Sequence, residues 1–333
     1  MSARPGGSDS RRPRHLGGAL LALIVLAVSV MPSGIVRAAD GWPRRVTDAL
    51  GREVVIPAAP RRIVAIFSSN VEMLAAIGAG PEIVAIEAWT RYPPEIVARA
   101  GRVGGRLGFS VEAIARMDAD LVVMTPARQA AAGMVDPLGR IGIPAIVLTH
   151  RRLGDILGNI RLLGRATGHD ADGDAVAAAM AARIDHLRRC LAGRPPVRVY
   201  LETGSDDRGA AFTLRDATYT GDILRAAGGV SVFAGRDRLG RVSGEAVWQA
   251  DPDMILVAGT PEQAQALTTR PGWDGINAVA RGDVAAVSRA LLLIPGPRVV
   301  DGAWMLARLL HPAAFAAGGA CADAPQSVEG AGG

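Results

Sequence analysis

The stretch LGDILGNIRLLGRATGHDADGDAVAAAMAARIDHLRRCL, residues 153–191, decides the fold. Apolar residues recur in it at helical spacing, as at Val176, Ala179, Met180, Ile184 and Leu187, and only Thr167 and Gly168 interrupt the pattern. No strand fits here. A helix of about twenty residues rises roughly 30 Å, comparable with the width of a small domain, so it is able to brace two flanking bodies from behind.

Strand and helix signals alternate on both sides of this stretch. Upstream, Val46 and residues 54–56 read as a hairpin around Gly51, and 62–67 as a buried strand ending at Ser68 and Ser69. Asn70 is expected to cap the next helix, which Gly78 and Gly80 stop. Strands at 83–86, 121–124 and 145–148 follow, separated by helices, one of them capped by Ser110. Such alternation implies a parallel sheet. Downstream, Gly193, Pro195 and Pro196 close the long helical stretch, and residues 197–201 begin a second series that runs to His311. The expected fold is α/β: two Rossmann-like lobes with central parallel sheets, at 44–150 and 195–313, joined by a single long α-helix within linking helices at 151–192. Periodicity alone also fits one α/β domain with a long surface helix. The tail, 316–333, is rich in Ala, Gly and small polar residues and is expected to be disordered. Cys321 lies in it, so a structural disulfide to Cys190 is not expected.

With 333 residues, 49% hydrophobic and 21% charged, the chain is long enough for two core-bearing lobes. Its start has a leader layout: Arg4, Arg11, Arg12 and Arg14 precede an apolar run from Leu16 to Val30, and Val36-Arg37-Ala38 precedes Ala39. A secretory signal peptide at 1–38, cleaved near Ala38, is expected, and with it a periplasmic location. The apolar run is short for a membrane span. Arg11 and Arg12 leave both the general and the twin-arginine export routes open, and no cysteine marks a lipid-anchored cleavage site. Of the 37 basic and 32 acidic residues, five arginines and Asp9 fall in the leader, leaving 32 against 31. The mature chain is nearly neutral and only 4% aromatic, which argues against nucleic acid as a partner.

Catalytic motifs are mostly absent. Gly78 and Gly80 lack the third glycine of a dinucleotide-binding turn, and no phosphate loop is possible in a chain without lysine. Neither a G-x-S-x-G elbow nor an H-E-x-x-H helix occurs. His150, His169, His186 and His311 fall in different elements without ligand spacing, so no catalytic or protein-held metal site is expected.

Four segments resemble the single-helix-linked, class III periplasmic binding proteins of ABC importers, which serve cobalamin, haem and ferric siderophores. They are Thr47-Asp48-Ala49-Leu50-Gly51-Arg52-Glu53-Val54 leading to the Asn70-Val71-Glu72 helix; Tyr92-Pro93-Pro94-Glu95 followed by Val103-Gly104-Gly105 and Ser110-Val111-Glu112; Ser243-Gly244-Glu245 followed by Asp251-Pro252-Asp253; and Arg270-Pro271-Gly272-Trp273 with the later Pro295-Gly296-Pro297-Arg298. The likeness covers roughly residues 45–312. It implies a monomeric, non-enzymatic carrier whose Glu112 and Glu245, one per lobe, dock on a permease dimer driven by ATPase subunits. Contact with the membrane then runs through the permease alone.

The ligand of such a carrier lies between the lobes, in loops that follow the carboxyl ends of parallel strands. The lobe-one candidates are Trp89, Tyr92, Arg106, Phe109 and Arg128; those of lobe two are Phe212, Tyr219 and Arg238. Aromatic rings cover the apolar face of a corrinoid, haem or ferric chelate, and arginines meet its carboxylate or amide edges. Tyr92 also has the chemistry of a haem-iron ligand. Such a molecule is cargo, and no prosthetic group is expected. An enzyme or a sensor on the same two-lobed scaffold is the alternative. Metal-cluster enzymes of that shape use cysteine ligands, which are missing here.

Overall fold

A computed structural model of the chain describes residues 41–104, 109–125, 128–205, 211–236 and 240–322, without the side chains of 128–132. The expected leader at 1–38 and the final residues 323–333 lie outside the described residues.

The first lobe begins with a hairpin of Arg44–Thr47 (β1) and Glu53–Ile56 (β2), in which Val46 stands opposite Val54. Asp48 closes it by accepting the N–H groups of Leu50 (2.9 Å) and Arg52 (3.1 Å), and Gly51 supplies the left-handed turn residue at φ 77. Ile63–Ala65 (β3), Ser68–Ala76 (α1), Ile83–Ile86 (β4), Pro94–Arg99 (α2), Gly101–Arg102 (β5), Val111–Ala115 (α3), Leu121–Met124 (β6), Arg128–Arg140 (α4) and Ala145–Val147 (β7) follow. The strands form a parallel sheet in the order β5-β4-β3-β6-β7. β3, β6 and β7 are buried at every position, which is why they read as continuous apolar runs.

Leu153–Thr167 (α5) and Asp170–Cys190 (α6) make the link, separated by Gly168 in the left-handed conformation at φ 88. The link is a helical hairpin whose longer arm, α6, is the single long helix that crosses from one lobe to the other. α5 starts beside the second lobe, where the Arg151 carbonyl accepts the Tyr219 N–H (2.7 Å), and runs back to the first, where the Arg165 carbonyl accepts from Arg44 (2.8 Å). α6 starts there, its Asp170 paired with Arg44, and carries the chain to the second lobe, where Arg183 meets Asp301 at 2.7 Å. Gly164 and Gly173 let the two helices touch: a β-carbon on Gly164 falls 2.8 Å from the His169 carbonyl oxygen and 3.1 Å from the Gly173 Cα.

The second lobe comprises Val197–Ser205 (β8), Ala211–Thr213 (β9), Tyr219–Ala226 (α7), Gly229–Ser231 (β10), Arg241–Val242 (β11), Gly244–Ala250 (α8), Met254–Ala258 (β12), Pro261–Thr268 (α9), Asn277–Arg281 (α10), Val284–Val287 (β13), Arg289–Leu293 (α11), Val299–Leu310 (α12) and Pro312–Phe315 (α13). β10, β8, β12 and β13 are parallel, whereas β9 returns antiparallel on β8 and β11 pairs antiparallel with β9. The central sheet is parallel as expected, and this ribbon extends its edge.

One cluster of buried apolar residues runs from Ile63 and Leu121 through Ile156, Leu163 and Ile184 to Leu201 and Leu256. Strand alternation sends Val64 and Val122, and Tyr200 and Val257, to separate clusters on the other face of each sheet. The lobes thus share a core through the link.

Two expectations about the tail are corrected. Residues 316–322 are ordered, with the Cys321 N–H donating to the Ala314 carbonyl (2.8 Å) and the residue buried. Cys321 is bonded to Cys190 at the end of α6, and the described chain holds no free cysteine. A small-residue composition does not preclude order when a buried crosslink removes the entropy that such a segment otherwise keeps. Asn70 is also not the cap of α1: the helix begins two residues earlier. The buried amide of Asn70 instead donates to the Ile66 carbonyl (2.6 Å) and to Thr125 Oγ1 (3.1 Å), tying the ends of β3 and β6 together.

Candidate functional site

The carboxyl ends of β3 and β4 are knitted together by one buried carboxylate. Glu87 accepts the Ser68 N–H at 3.1 Å and the Ser68 hydroxyl at 3.4 Å, and the same hydroxyl lies 3.3 Å from Thr90 Oγ1. Burial pushes the Glu87 carboxyl above the usual carboxylate range in spite of these donors. Trp89 stands at the top of this turn and is 60% exposed. Phe67, which the sequence pattern assigned to the strand, is 42% exposed and adopts φ 92, ψ 130. A positive φ on a bulky residue is an outlier that neighbouring structure has to enforce.

Behind this loop lies the seam between the lobes. Arg298, at the start of α12, donates from Nε (3.0 Å) and Nη2 (2.6 Å) to the two carboxylate oxygens of Glu72 on α1. Gly296 allows that approach, since a β-carbon there falls 2.8 Å from Glu72 Oε2. The Arg298 guanidinium also covers the Tyr92 ring, 3.9 Å from its centroid. Glu72, Ala76, Tyr92, Pro93, Pro297 and Arg298 border a cavity of about 240 Å³ drawn from both lobes. At the end of β7, His150 Nε2 lies 3.2 Å from Ser69 Oγ, and burial lowers its pKa to about 4. Its Nδ1 is buried with no hydrogen-bond partner, so the imidazole is neutral.

On the second lobe, Glu202 within β8 is held by Arg270 through two 2.7 Å bonds and by the Tyr200 hydroxyl at 3.0 Å. Phe212 sits half-buried on β9 beneath the Arg241 guanidinium, 5.3 Å from the ring centroid. Tyr219 packs against the shared core, and burial pushes its phenol up to about 12. Phe109 packs on the outer cluster of the first lobe. Trp89 and Tyr92 are thus brought to the carboxyl-end rim and the seam, while Phe109 and Tyr219 contribute to cores. Arg106 and Arg238 lie outside the described residues, as does the Arg128 side chain. Among the described residues, no group of three or more His, Cys, Asp or Glu is arranged to hold a metal ion, and no helix is long and apolar enough to cross a membrane.

A family model described as periplasmic binding protein matches residues 63–290. The chain belongs to this family. It is 25% identical over 279 residues to YvrC of Bacillus subtilis, a substrate-binding lipoprotein of an ABC transporter, covering 82% of this chain and 87% of that one. It is 26% identical over 219 residues to the vitamin B12-binding protein of Pectobacterium carotovorum, covering 64% and 76%. The fold is shared with the periplasmic haem-binding protein RhuT of Roseiflexus: the TM-score is 0.65 at 24% identity, over 75% of this chain and 98% of that one.

Within this periplasmic binding protein, the two glutamates singled out by the motifs occupy equivalent local structures. Ser110 caps α3 by accepting the Ala113 N–H at 3.2 Å, and Ser243 caps α8 by accepting the Ala246 N–H at 3.2 Å. Glu112 and Glu245 stand in the first turns, both exposed. The Ser110 hydroxyl donates to Glu112 (2.6 Å) and lowers its pKa, keeping it ionised. Glu245 accepts from Gln249 at 3.2 Å and borders a shallow hollow with Trp248, which is 53% exposed, and Trp273.

Sequence reasoning missed Phe67, Glu72, Glu87 and Arg298. Glu72 and Arg298 are 226 positions apart, so no local pattern couples them. The available signal was the Gly296-Pro297-Arg298 segment, noted as a motif and given no role.

Proposed function

We propose that this protein is the substrate-binding component of an ABC importer, working in the periplasm, that captures a bulky metal-bearing cofactor or chelate and delivers it to the permease. The observation that carries the reading is the repeated device on the two lobes: a serine-capped short helix with an exposed glutamate, once at Glu112 and once at Glu245. A two-fold permease dimer offers two equivalent surfaces, and one carboxylate per lobe sets register on them while each rim pair adds little affinity. The Cys190–Cys321 disulfide fits an oxidising compartment outside the cytoplasm. Names of related proteins point to cobalamin and haem as cargo. The exposed Trp89 beside the seam supplies an apolar face for such a ligand, and no bond chemistry is required of the protein.

The test is a titration of the mature protein with cyanocobalamin, haemin and a ferric hydroxamate, followed by tryptophan quenching and ligand absorbance. Binding of one of them at micromolar or lower concentration is expected; failure with all three refutes the cargo reading. Glu112→Ala with Glu245→Ala is expected to leave that binding intact and abolish uptake. Loss of binding in this double variant refutes the docking role.

A further inference from the structure

The helices that carry Glu112 and Glu245 share a Ser-x-Glu-Ala start and part company one turn on. Three positions after the glutamate, where a helix brings the next side chain onto the same face, α3 has the half-buried Ala115 and α8 has Trp248, 53% exposed. Among the described residues, none of the exposed large apolar side chains lies on α3. Trp248 is also seated. A β-carbon on Gly275 falls 3.1 Å from its Nε1, so the glycine leaves room for the indole to lie close. Gly244 does the same for the buried Trp273, whose Nε1 is 2.9 Å from where a β-carbon would stand. With Pro271 and Gly272 these residues wall a hollow of about 440 Å³ that Glu245 borders. Asp251 fixes the far end of α8 by accepting the Asn277 N–H at 3.0 Å.

The same lobe holds this combination of groups in finished form. Arg270 lies 4.9 Å from the Trp273 ring centroid while two 2.7 Å bonds tie it to Glu202. Trp248 and Glu245 repeat the indole and the carboxylate at the surface. A guanidinium is the group that serves both, because its plane stacks on an indole and its N–H fork meets a carboxylate.

We infer that the docking face is unequal: Trp248 and its hollow anchor an arginine of the partner on the second lobe, whereas the first lobe offers the same arginine Glu112 without an indole. The inference rests on the docking reading above and adds where the affinity of that face lies. A two-fold partner presents identical side chains to both lobes, so the inequality comes from this chain. An exposed ion pair contributes little, while a tryptophan seated in a rimmed hollow is the kind of residue that dominates an interface. The second lobe therefore holds the partner, and Glu112 sets the register of the first.

The test titrates the isotope-labelled mature protein with acetyl-arginine amide, acetyl-lysine amide and acetyl-norleucine amide, following indole and backbone signals by NMR. The arginine probe is expected to shift the Trp248 indole and the Glu245 amide with an affinity at least about fivefold above that at Glu112, the lysine probe to bind more weakly and the norleucine probe not at all. Trp248→Ala is expected to keep its melting temperature within a few degrees and to bring the two lobes to equal affinity. Trp248→Phe keeps a ring and is expected to bind the arginine probe within about threefold of the parent, and Glu245→Gln to weaken it by about threefold. Equal binding at both lobes of the parent, a norleucine probe that binds as well as the arginine one, or a Trp248→Ala variant that keeps the inequality each overturn the anchor. Uptake that persists in the Glu112→Ala with Glu245→Ala variant overturns the docking reading itself, which is a different result from a docking face indifferent to Trp248.

Discussion

Replacing both Cys190 and Cys321 by alanine tests how the tail is held. The two residues are 131 positions apart, and they close a loop that contains the whole second lobe. Chain-entropy arithmetic for a loop of this length gives a ceiling of about 5 kcal/mol at 25 °C, and measured losses for native disulfides run from about 2 to 5 kcal/mol. A loss of about 3 kcal/mol is expected, because the tail makes other contacts: Cys321 donates to Ala314, and α13 packs on α12 through Phe315 and Trp304. At roughly 2–4 °C per kcal/mol, the melting temperature falls by about 6–12 °C. Guanidinium unfolding of the oxidised parent, the reduced parent and the double variant measures this. The parent should have the highest midpoint and the shallowest slope, since the crosslink keeps its unfolded chain compact. Equal midpoints for parent and variant, or two free thiols titrated in the denatured parent, refute the reasoning.

Three further outcomes are expected. His150 is neutral in the folded protein, with its pKa at about 4 against 6.5 when free, so the unfolded chain alone takes up a proton between these values. Stability should therefore fall as pH drops from 6.5 toward 4, by up to about 3 kcal/mol, and His150→Gln should show a smaller fall in urea melts at pH 7 and pH 4.5. Gly164→Ala forces a β-carbon onto the His169 carbonyl and should destabilise the α5–α6 hairpin by about 1–3 kcal/mol, seen as a lower denaturation midpoint. Glu72→Ala strands the Arg298 guanidinium in the seam and should cost about 3–5 kcal/mol, while Glu72→Ala with Arg298→Met should recover much of that loss.

Much of the fold was legible because local physics wrote it into contiguous residues. Ile83–Ile86 and Leu121–Met124 are short, uninterrupted apolar runs bounded by turn signals, and the structure starts and stops them where the pattern does. Ser110 is followed by a helix because its hydroxyl satisfies a first-turn N–H, a one-residue signal. Asn70 shows the limit of that signal: its amide has the same capping chemistry and spends it on Thr125 and Ile66 instead. Phe67 was read as strand because an aromatic residue after Ile63-Val64-Ala65-Ile66 fits a β pattern, and backbone torsion leaves no trace in residue type. The order of the tail hung on a single cysteine in a segment whose composition argued the other way. Of the candidate site, the rim residue Trp89 followed from the rule that loops after parallel strands face the crevice. The seam behind it required the chain to bring Glu72 and Arg298 together.

The Glu72–Arg298 bridge bears on how such a molecule lets go of what it carries. Its two ends belong to opposite jaws, and the carboxylate is almost wholly shielded from water, so a wide gape trades one buried ion pair for two separately hydrated charges. The latch is therefore one that hydration helps to undo.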